Sequence, residues 1–166
     1  DCIPSPYLTG LLDKYLNGKY IPTFQTARGC PFLCTFCEQG LDENKIVSFS
    51  TERMCNELDY VSDKVTKFSG YNSIFIFDSN WGMYKEDIPI AHHLKKLNET
   101  KNWPKYIDCD TGKSQYDRIR HVAMDVLPGI MSISNSVQTM DQSVLKNIKR
   151  LQPKDPVQVI KEFEVG

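Results

Sequence analysis

Hydrophobic residues recur along much of the chain at the spacing of one helix face. From Ser50, which suits a helix N-cap, apolar positions repeat at intervals of four and three, and Gly70 ends the run. Similar runs cover residues 85–98, 114–126 and 141–151, the last with Asp141 as its N-cap, so the pattern predicts four amphipathic helices. Their defining apolar positions are Met54, Leu58, Val61, Val65, Phe68, Ile88, Ala91, Leu94, Leu97, Tyr116, Ile119, Val122, Ala123 and Val126.

Four short segments around these helices have the composition of β-strands. TFQTARG (residues 23–29) is rich in β-forming residues and alternates in character. SIFIF (73–77) is a nearly continuous apolar run, which predicts a strand buried on both faces of a parallel sheet. KYIDCD (105–110) and GIMSIS (129–134) predict the remaining two strands.

Strand and helix therefore alternate four times with short connections. This order is typical of an α/β fold, in which helices cover a parallel sheet. The pattern alone does not distinguish a barrel from a doubly wound sheet, but both bind ligands at the carboxyl ends of their strands. Residues 1–22, with three prolines and two glycines, predict a linker with a short helix, and residues 23–166 predict the folded domain.

Polar residues gather where the predicted strands end. Three cysteines, Cys30, Cys34 and Cys37, follow the first strand at offsets of four and three. Other polar clusters lie at 78–80, 108–110 and 134–138. Because clustered thiolates usually hold a metal, and cysteine thiolates are the ligands of iron–sulfur clusters, the loop predicts a cluster with one iron left open.

Composition and charge add few constraints. The chain has 166 residues, 40% of them hydrophobic, and a net charge of −1, which predicts a globular protein without bulk attraction to nucleic acid or anionic membrane. No apolar run is long enough to span a membrane and no signal peptide is evident, so a cytoplasmic location is expected. Because the sequence opens abruptly on Asp1-Cys2, we expect a piece of a longer protein.

The segment CPFLCTFC (residues 30–37) resembles the CxxxCxφC signature of the radical S-adenosylmethionine (radical SAM) enzymes, with an aromatic residue before the last cysteine. Around it, IPSPYLTGLLDKYL (3–16) is similar to the segment that joins a cobalamin-binding domain to a radical SAM barrel. FIFDSNWG (75–82) and SISNSVQTMDQSVLKNIKR (132–150) resemble later parts of the same core. The resemblance covers nearly the whole chain.

The resemblance implies a partial TIM-like (β/α) barrel, truncated relative to the six-unit core of that family. It implies that Cys30, Cys34 and Cys37 bind a 4Fe-4S cluster, with SAM on the open iron. The reaction implied is reductive cleavage of SAM to a 5′-deoxyadenosyl radical, for hydrogen abstraction or cobalamin-linked methyl transfer. A one-electron reductant such as a flavodoxin or ferredoxin would be the partner, and the substrate is not identified.

Six further residues are implied to bind the cofactors. Phe36, beside the last cysteine, is expected to contact the adenine of SAM, and Asp78 and Asn80 are expected to approach SAM from the end of the second strand. The remaining three, also expected to contact SAM, are Lys113, Ser134 and Gln138.

A second interpretation stays open at this stage. The three cysteines would also suit a zinc-binding or electron-transfer module without enzymatic activity. In a zinc site, Cys55, Cys109 or His121 would have to supply the fourth ligand. The fourth ligand therefore separates the two interpretations.

Overall fold

The computed structural model describes residues 2–40, 46–70, 72–134 and 138–150. Single 3-10 turns lie at Asp13–Tyr15 and Glu38–Gly40. The strands of the described residues are β1 (Thr23–Phe24), β2 (Ala27–Arg28), β3 (Val47–Ser48), β4 (Ser73–Trp81) and β5 (Tyr106–Thr111). Their α-helices are α1 (Thr51–Val65), α2 (Asp87–Lys101), α3 (Tyr116–Arg120) and α4 (Gln142–Asn147), and a π-helical segment, His121–Val126, continues α3.

The main sheet has the order β1-β4-β5, and its strands are parallel. After β5 the chain returns through α3 and forms one parallel bridge between Ile107 and Met131. The sequence predicts a strand over residues 129–134. Among the described residues, this segment forms only that single bridge, which lies beside β5. The predicted α/β class is confirmed, and the sheet of the described residues is open, as in a partial β/α fold, and forms no closed barrel.

The first predicted strand, 23–29, is not continuous. β1 joins the main sheet, whereas β2 pairs antiparallel with β3 in a separate two-stranded sheet. Between them the backbone turns to the carboxylate of Asp78, which accepts hydrogen bonds from the backbone N–H groups of Thr26 and Ala27. A buried side-chain acceptor therefore replaces the strand pairing that the sequence predicted.

The hydrophobic core lies on one face of the main sheet. Ile74 and Ile76 of β4 pack in the same buried cluster as residues of α1 and α2. On the other face Phe77 is 61% exposed, so the prediction that this strand is buried on both faces is wrong. The described helices cover a single face, and for this reason the burial alternates along β4.

The helices agree with the predicted apolar pattern but differ at their ends. Ser50 caps α1 as expected, because its hydroxyl accepts a hydrogen bond from the Arg53 N–H. The helix ends at Val65, earlier than predicted, and Phe68 is exposed. Gly70 is required by packing, since a Cβ there would lie 1.9 Å from the carbonyl oxygen of Gly18.

The amino-terminal segment packs against the same core. Tyr7 and Leu16 are buried in the main hydrophobic cluster. The Tyr7 hydroxyl donates to the Thr23 carbonyl and accepts from the Thr23 N–H. These contacts attach the segment to the first strand of the sheet, while the boundary proposed at residue 22 stays a prediction.

Candidate functional site

The three clustered cysteines lie on the loop that follows β2. Cys34 is buried, Cys30 is half-buried and Cys37 is exposed. All three line one cavity of about 230 Å³, together with the aromatic rings of Phe32 and Phe36. The loop therefore presents three thiols and two apolar rings to the same space.

Charged and polar residues from distant parts of the chain complete this cavity. They are Asp110 from β5, Lys113 from the following loop, Gln138, and Arg150 beyond α4. The Arg150 Nη1 lies 3.9 Å from the Cys34 Sγ. The lining combines two cations with one carboxylate, which suits an anionic or zwitterionic occupant.

A backbone contact ties the cysteine loop to the end of α4. The Thr35 N–H donates to the Ile148 carbonyl at 3.1 Å. Asp141 caps this helix by accepting from the N–H groups of Ser143 and Val144, as the sequence predicted for the cap. The helix thereby places Arg150 beside the cysteines.

Asp78 anchors the start of the cysteine loop from β4. Its Oδ1 accepts from the Thr26 N–H at 2.7 Å, and its Oδ2 accepts from the Ala27 N–H at 3.0 Å and from the Thr26 hydroxyl. Burial raises the pKa of Asp78, and these hydrogen bonds oppose that shift. Both carboxylate oxygens are thus used to hold the chain just before Cys30.

Asn80 contacts the first cysteine directly. Its Nδ2 donates to the Cys30 Sγ at 3.3 Å, and the residue is 1% exposed. The Asn80 Oδ1 and the Tyr84 hydroxyl are buried without a hydrogen-bond partner among the described residues. The Asn80 side chain lowers the pKa of Tyr84 against the effect of burial, so the two groups lie next to each other behind Cys30.

Two acidic groups beneath the loop have raised pKa values. Burial raises the pKa of Tyr84 to about 12, and the charges of Cys30 and Asp87 act in the same direction. Burial also raises the pKa of Asp87 to about 7, against the hydrogen bond from the Tyr84 N–H. The environment next to the cysteines therefore disfavours negative charge on neighbouring side chains.

The structure brings together only part of the predicted set. Phe36, Lys113 and Gln138 line the cavity with the cysteines. Asp78 and Asn80 lie behind the loop, and the Ser134 backbone is held by the Thr111 hydroxyl. The predicted contacts of all six with SAM stay predictions.

Three lining residues were missed by sequence reasoning. Phe32 lies inside the cysteine motif but carries no helix or strand signal of its own. Asp110 belonged to a polar cluster that had been recognised without a role for its individual members. Arg150 falls at the end of the fourth predicted helix, and only the folded chain shows that it lies near Cys34.

The candidate fourth ligands for zinc do not line the cavity. Burial and the carboxylates of Asp108 and Asp110 raise the pKa of Cys109 to about 12, which keeps it a thiol. Burial also raises the pKa of Cys55 on α1, and His121 pairs with Asp125. None of these features favours a fourth zinc ligand beside the three cysteines.

The three cysteines are of the donor type that iron–sulfur clusters take, since cysteine thiolates ligate the irons of such clusters. In the described part of the chain, no three His, Cys, Asp or Glu side chains are close enough to hold one metal ion. A polynuclear cluster takes one thiolate at each of several irons, so its ligands need not converge on a point. Three thiols spread around one cavity fit that requirement.

The chain combines a parallel α/β sheet with a CxxxCxxC loop at the carboxyl edge of that sheet. This combination is typical of the radical SAM proteins. The chain is 28% identical over 159 residues to the cobalamin-dependent radical SAM methyltransferase TokK of Streptomyces tokunonensis. It is also 28% identical over 159 residues to the 2-(S-pantetheinyl)-carbapenam-3-carboxylate methyltransferase of Streptantibioticus cattleyicolor. Both alignments cover 89% of the chain, and the match to TokK confirms the resemblance to radical SAM proteins.

The chain spans about a fifth of the length of these curated relatives, since the alignments cover 22% of each. No protein-family model matches the chain. In the part of the chain that the structure describes, no helix is both long and apolar enough to cross a membrane.

Proposed function

We propose that this chain forms the cluster- and SAM-binding part of a cobalamin-dependent radical SAM methyltransferase. The observation that carries the proposal is that Cys30, Cys34 and Cys37 line a single cavity at the carboxyl edge of a parallel sheet. The similarity to one cobalamin-dependent radical SAM methyltransferase and to a second methyltransferase supports it. That similarity supports an enzymatic origin, and the reaction is part of the proposal.

The three cysteines would hold a 4Fe-4S cluster, and the cavity beside them would hold SAM. The chemistry that this pair supplies when bound is one-electron cleavage of SAM to methionine and a 5′-deoxyadenosyl radical, with cobalamin as the methyl carrier. The electron would come from a small redox protein such as a flavodoxin or ferredoxin.

The residues of this chain bind and shield these groups. Lys113 and Arg150 supply positive charge for a carboxylate, and Asp110 supplies negative charge for an amine or sulfonium. Phe32 and Phe36 present apolar surface that excludes water, and Phe36 would contact the adenine ring. Asp78 holds the backbone in front of Cys30, so the loop keeps its shape.

Anaerobic reconstitution of the protein with iron and sulfide tests this function. We expect about four irons and four sulfides per chain, as a 4Fe-4S cluster requires. The electron paramagnetic resonance (EPR) signal of the reduced cluster should change shape when SAM is added. Cys34→Ala should abolish the cluster, whereas the matched control Cys55→Ala should retain it.

The alternative module gives different results in the same experiment. A zinc protein would bind one zinc ion and no sulfide, and it would lose that metal in Cys55→Ala, Cys109→Ala or His121→Ala. An electron-transfer module would form a cluster with a signal that ignores SAM. Either result would contradict the proposed function.

A further inference from the structure

The hydrogen bond between Asn80 and Cys30 joins two residues that are 50 positions apart. Asn80 lies near the end of β4, where the register with β5 shifts between Ile76 and Trp81. Its backbone carbonyl oxygen accepts from the Met83 N–H at 3.2 Å, and this turn fixes the backbone at Asn80. The amide is therefore held against the sulfur by a rigid strand end.

The direction of the amide follows from the chemistry of the sulfur. A metal-bound cysteine is a thiolate, which accepts hydrogen bonds and donates none. Only the NH₂ group of Asn80 can satisfy it, and this is the group that faces Cys30. Because Asn80 is buried, water does not compete effectively for the bond.

We propose that Asn80 is a positioning residue that stabilises the Cys30 thiolate and raises the reduction potential of the cluster bound there. The inference rests on the proposed function, because it requires a cluster on Cys30. Hydrogen bonds to cluster sulfurs are one of the means by which a protein sets the potential. Reduction adds negative charge to the cluster, and a donor that faces the sulfur stabilises the reduced form more than the oxidised form.

The role differs from a contact with SAM in a measurable way. If Asn80 acts on the Cys30 sulfur, its effect is present before SAM binds. If Asn80 acts only on SAM, the potential of the SAM-free cluster does not depend on it. The SAM-free potential is therefore the informative quantity.

The test is a redox titration of the reconstituted protein without SAM, followed by EPR. Asn80→Leu removes the donor at similar volume, and Asn80→Asp replaces it with an acceptor. We expect a more negative reduction potential in both variants. For Asn80→Leu the ratio of reduced to oxidised cluster at a fixed solution potential should fall about tenfold. That fall corresponds to a shift of about 59 mV for a one-electron couple. The control is Ser79→Ala, one residue earlier on β4, with an unchanged potential.

A second measurement detects the hydrogen bond itself. In deuterium oxide, pulsed EPR of the reduced wild-type cluster should show an exchangeable deuteron close to the cluster that is absent in Asn80→Leu. A wild-type potential retained in both variants, or a shift that arises only with SAM, would overturn the inference. Loss of the cluster from both variants would also overturn it, because Asn80 would then be needed for assembly rather than for the potential.

Failure of the inference is distinct from failure of the proposed function. If the wild-type protein forms no 4Fe-4S cluster, the proposed function fails first. If the wild type forms a SAM-responsive cluster and the variants match its potential, only the role of Asn80 fails.

Discussion

Asp87 is an acidic residue buried at the start of α2, with 1% of its surface exposed. Its Oδ2 accepts a hydrogen bond from the Tyr84 N–H at 2.9 Å. The backbone hydrogen bonds from Tyr84 and Gly82 do not replace the water that the carboxylate loses on burial, so the pKa rises to about 7. The folded protein therefore binds a proton here that the unfolded chain releases at lower pH.

This shift predicts a pH dependence of stability. Because the pKa of Asp87 is higher in the folded state, its contribution is complete below the unfolded value of 3.8 and is lost as pH rises to about 7. Asp87→Asn, which keeps an acceptor for the Tyr84 N–H, should lose this dependence. Relative to wild type, it should gain roughly 2–4 kcal/mol of stability between pH 4 and pH 8.

Urea denaturation at several pH values measures the effect of Asp87→Asn. The control is Asp108→Asn, which removes one negative charge from the exposed face of β5. Its stability should depend on pH in the same way as that of the wild type. Parallel profiles for Asp87→Asn and wild type would show that burial of Asp87 does not raise its pKa.

At the scale of elements, Asp78 decides where the first strand ends. Its carboxylate accepts three hydrogen bonds from Thr26 and Ala27, which removes this backbone from the main sheet. The chain then pairs with β3 and enters the cysteine loop. A single buried side chain on β4 thus connects the sheet to the candidate cluster site.

Removal of the Asp78 carboxylate should destabilise the protein markedly. Asp78→Ala leaves two buried N–H groups and a hydroxyl unpaired, so we expect a loss of about 3 kcal/mol in the free energy of unfolding. Thr26→Val removes only the hydroxyl and should cost about 1 kcal/mol. Urea denaturation of both variants in the same cofactor state as wild type measures these values, and equal costs would contradict the anchoring role.

At the scale of the whole molecule, one face of the main sheet carries exposed apolar side chains. Phe77 is 61% exposed and packs against Phe75, with ring centroids 4.3 Å apart and the ring planes tilted by 47°. Tyr106 of β5 lies on the same face and is also exposed. Exposed apolar surface on an open sheet promotes association.

The 166-residue chain is therefore expected to self-associate through this face. Phe77→Lys should raise the dissociation constant of self-association about tenfold or more, since a buried phenyl ring contributes about 1.5–3 kcal/mol. Phe68→Lys removes another exposed phenyl ring, 46% exposed and outside the sheet, and should have little effect. Sedimentation velocity over a concentration series distinguishes the two, and equal effects would refute the role of the sheet face.

The sequence by itself determined the local features of this protein. The spacing of apolar residues placed α1 and α2, the side chains of Ser50 and Asp141 marked helix starts, and the cysteine offsets identified the loop. These features are encoded within a few residues of one another, because helix periodicity and capping depend on near neighbours. Sequence reasoning therefore recovered them.

Only the tertiary structure decided the long-range contacts. The bonds from Thr26 to Asp78 and from Asn80 to Cys30 join residues 52 and 50 positions apart, and Arg150 reaches Cys34 across 116 positions. Periodicity carries no information about such pairs, because they depend on how the strands align and which face the helices cover. The cysteine motif was thus fixed by the sequence, whereas the anchors and the cavity around it arise from folding.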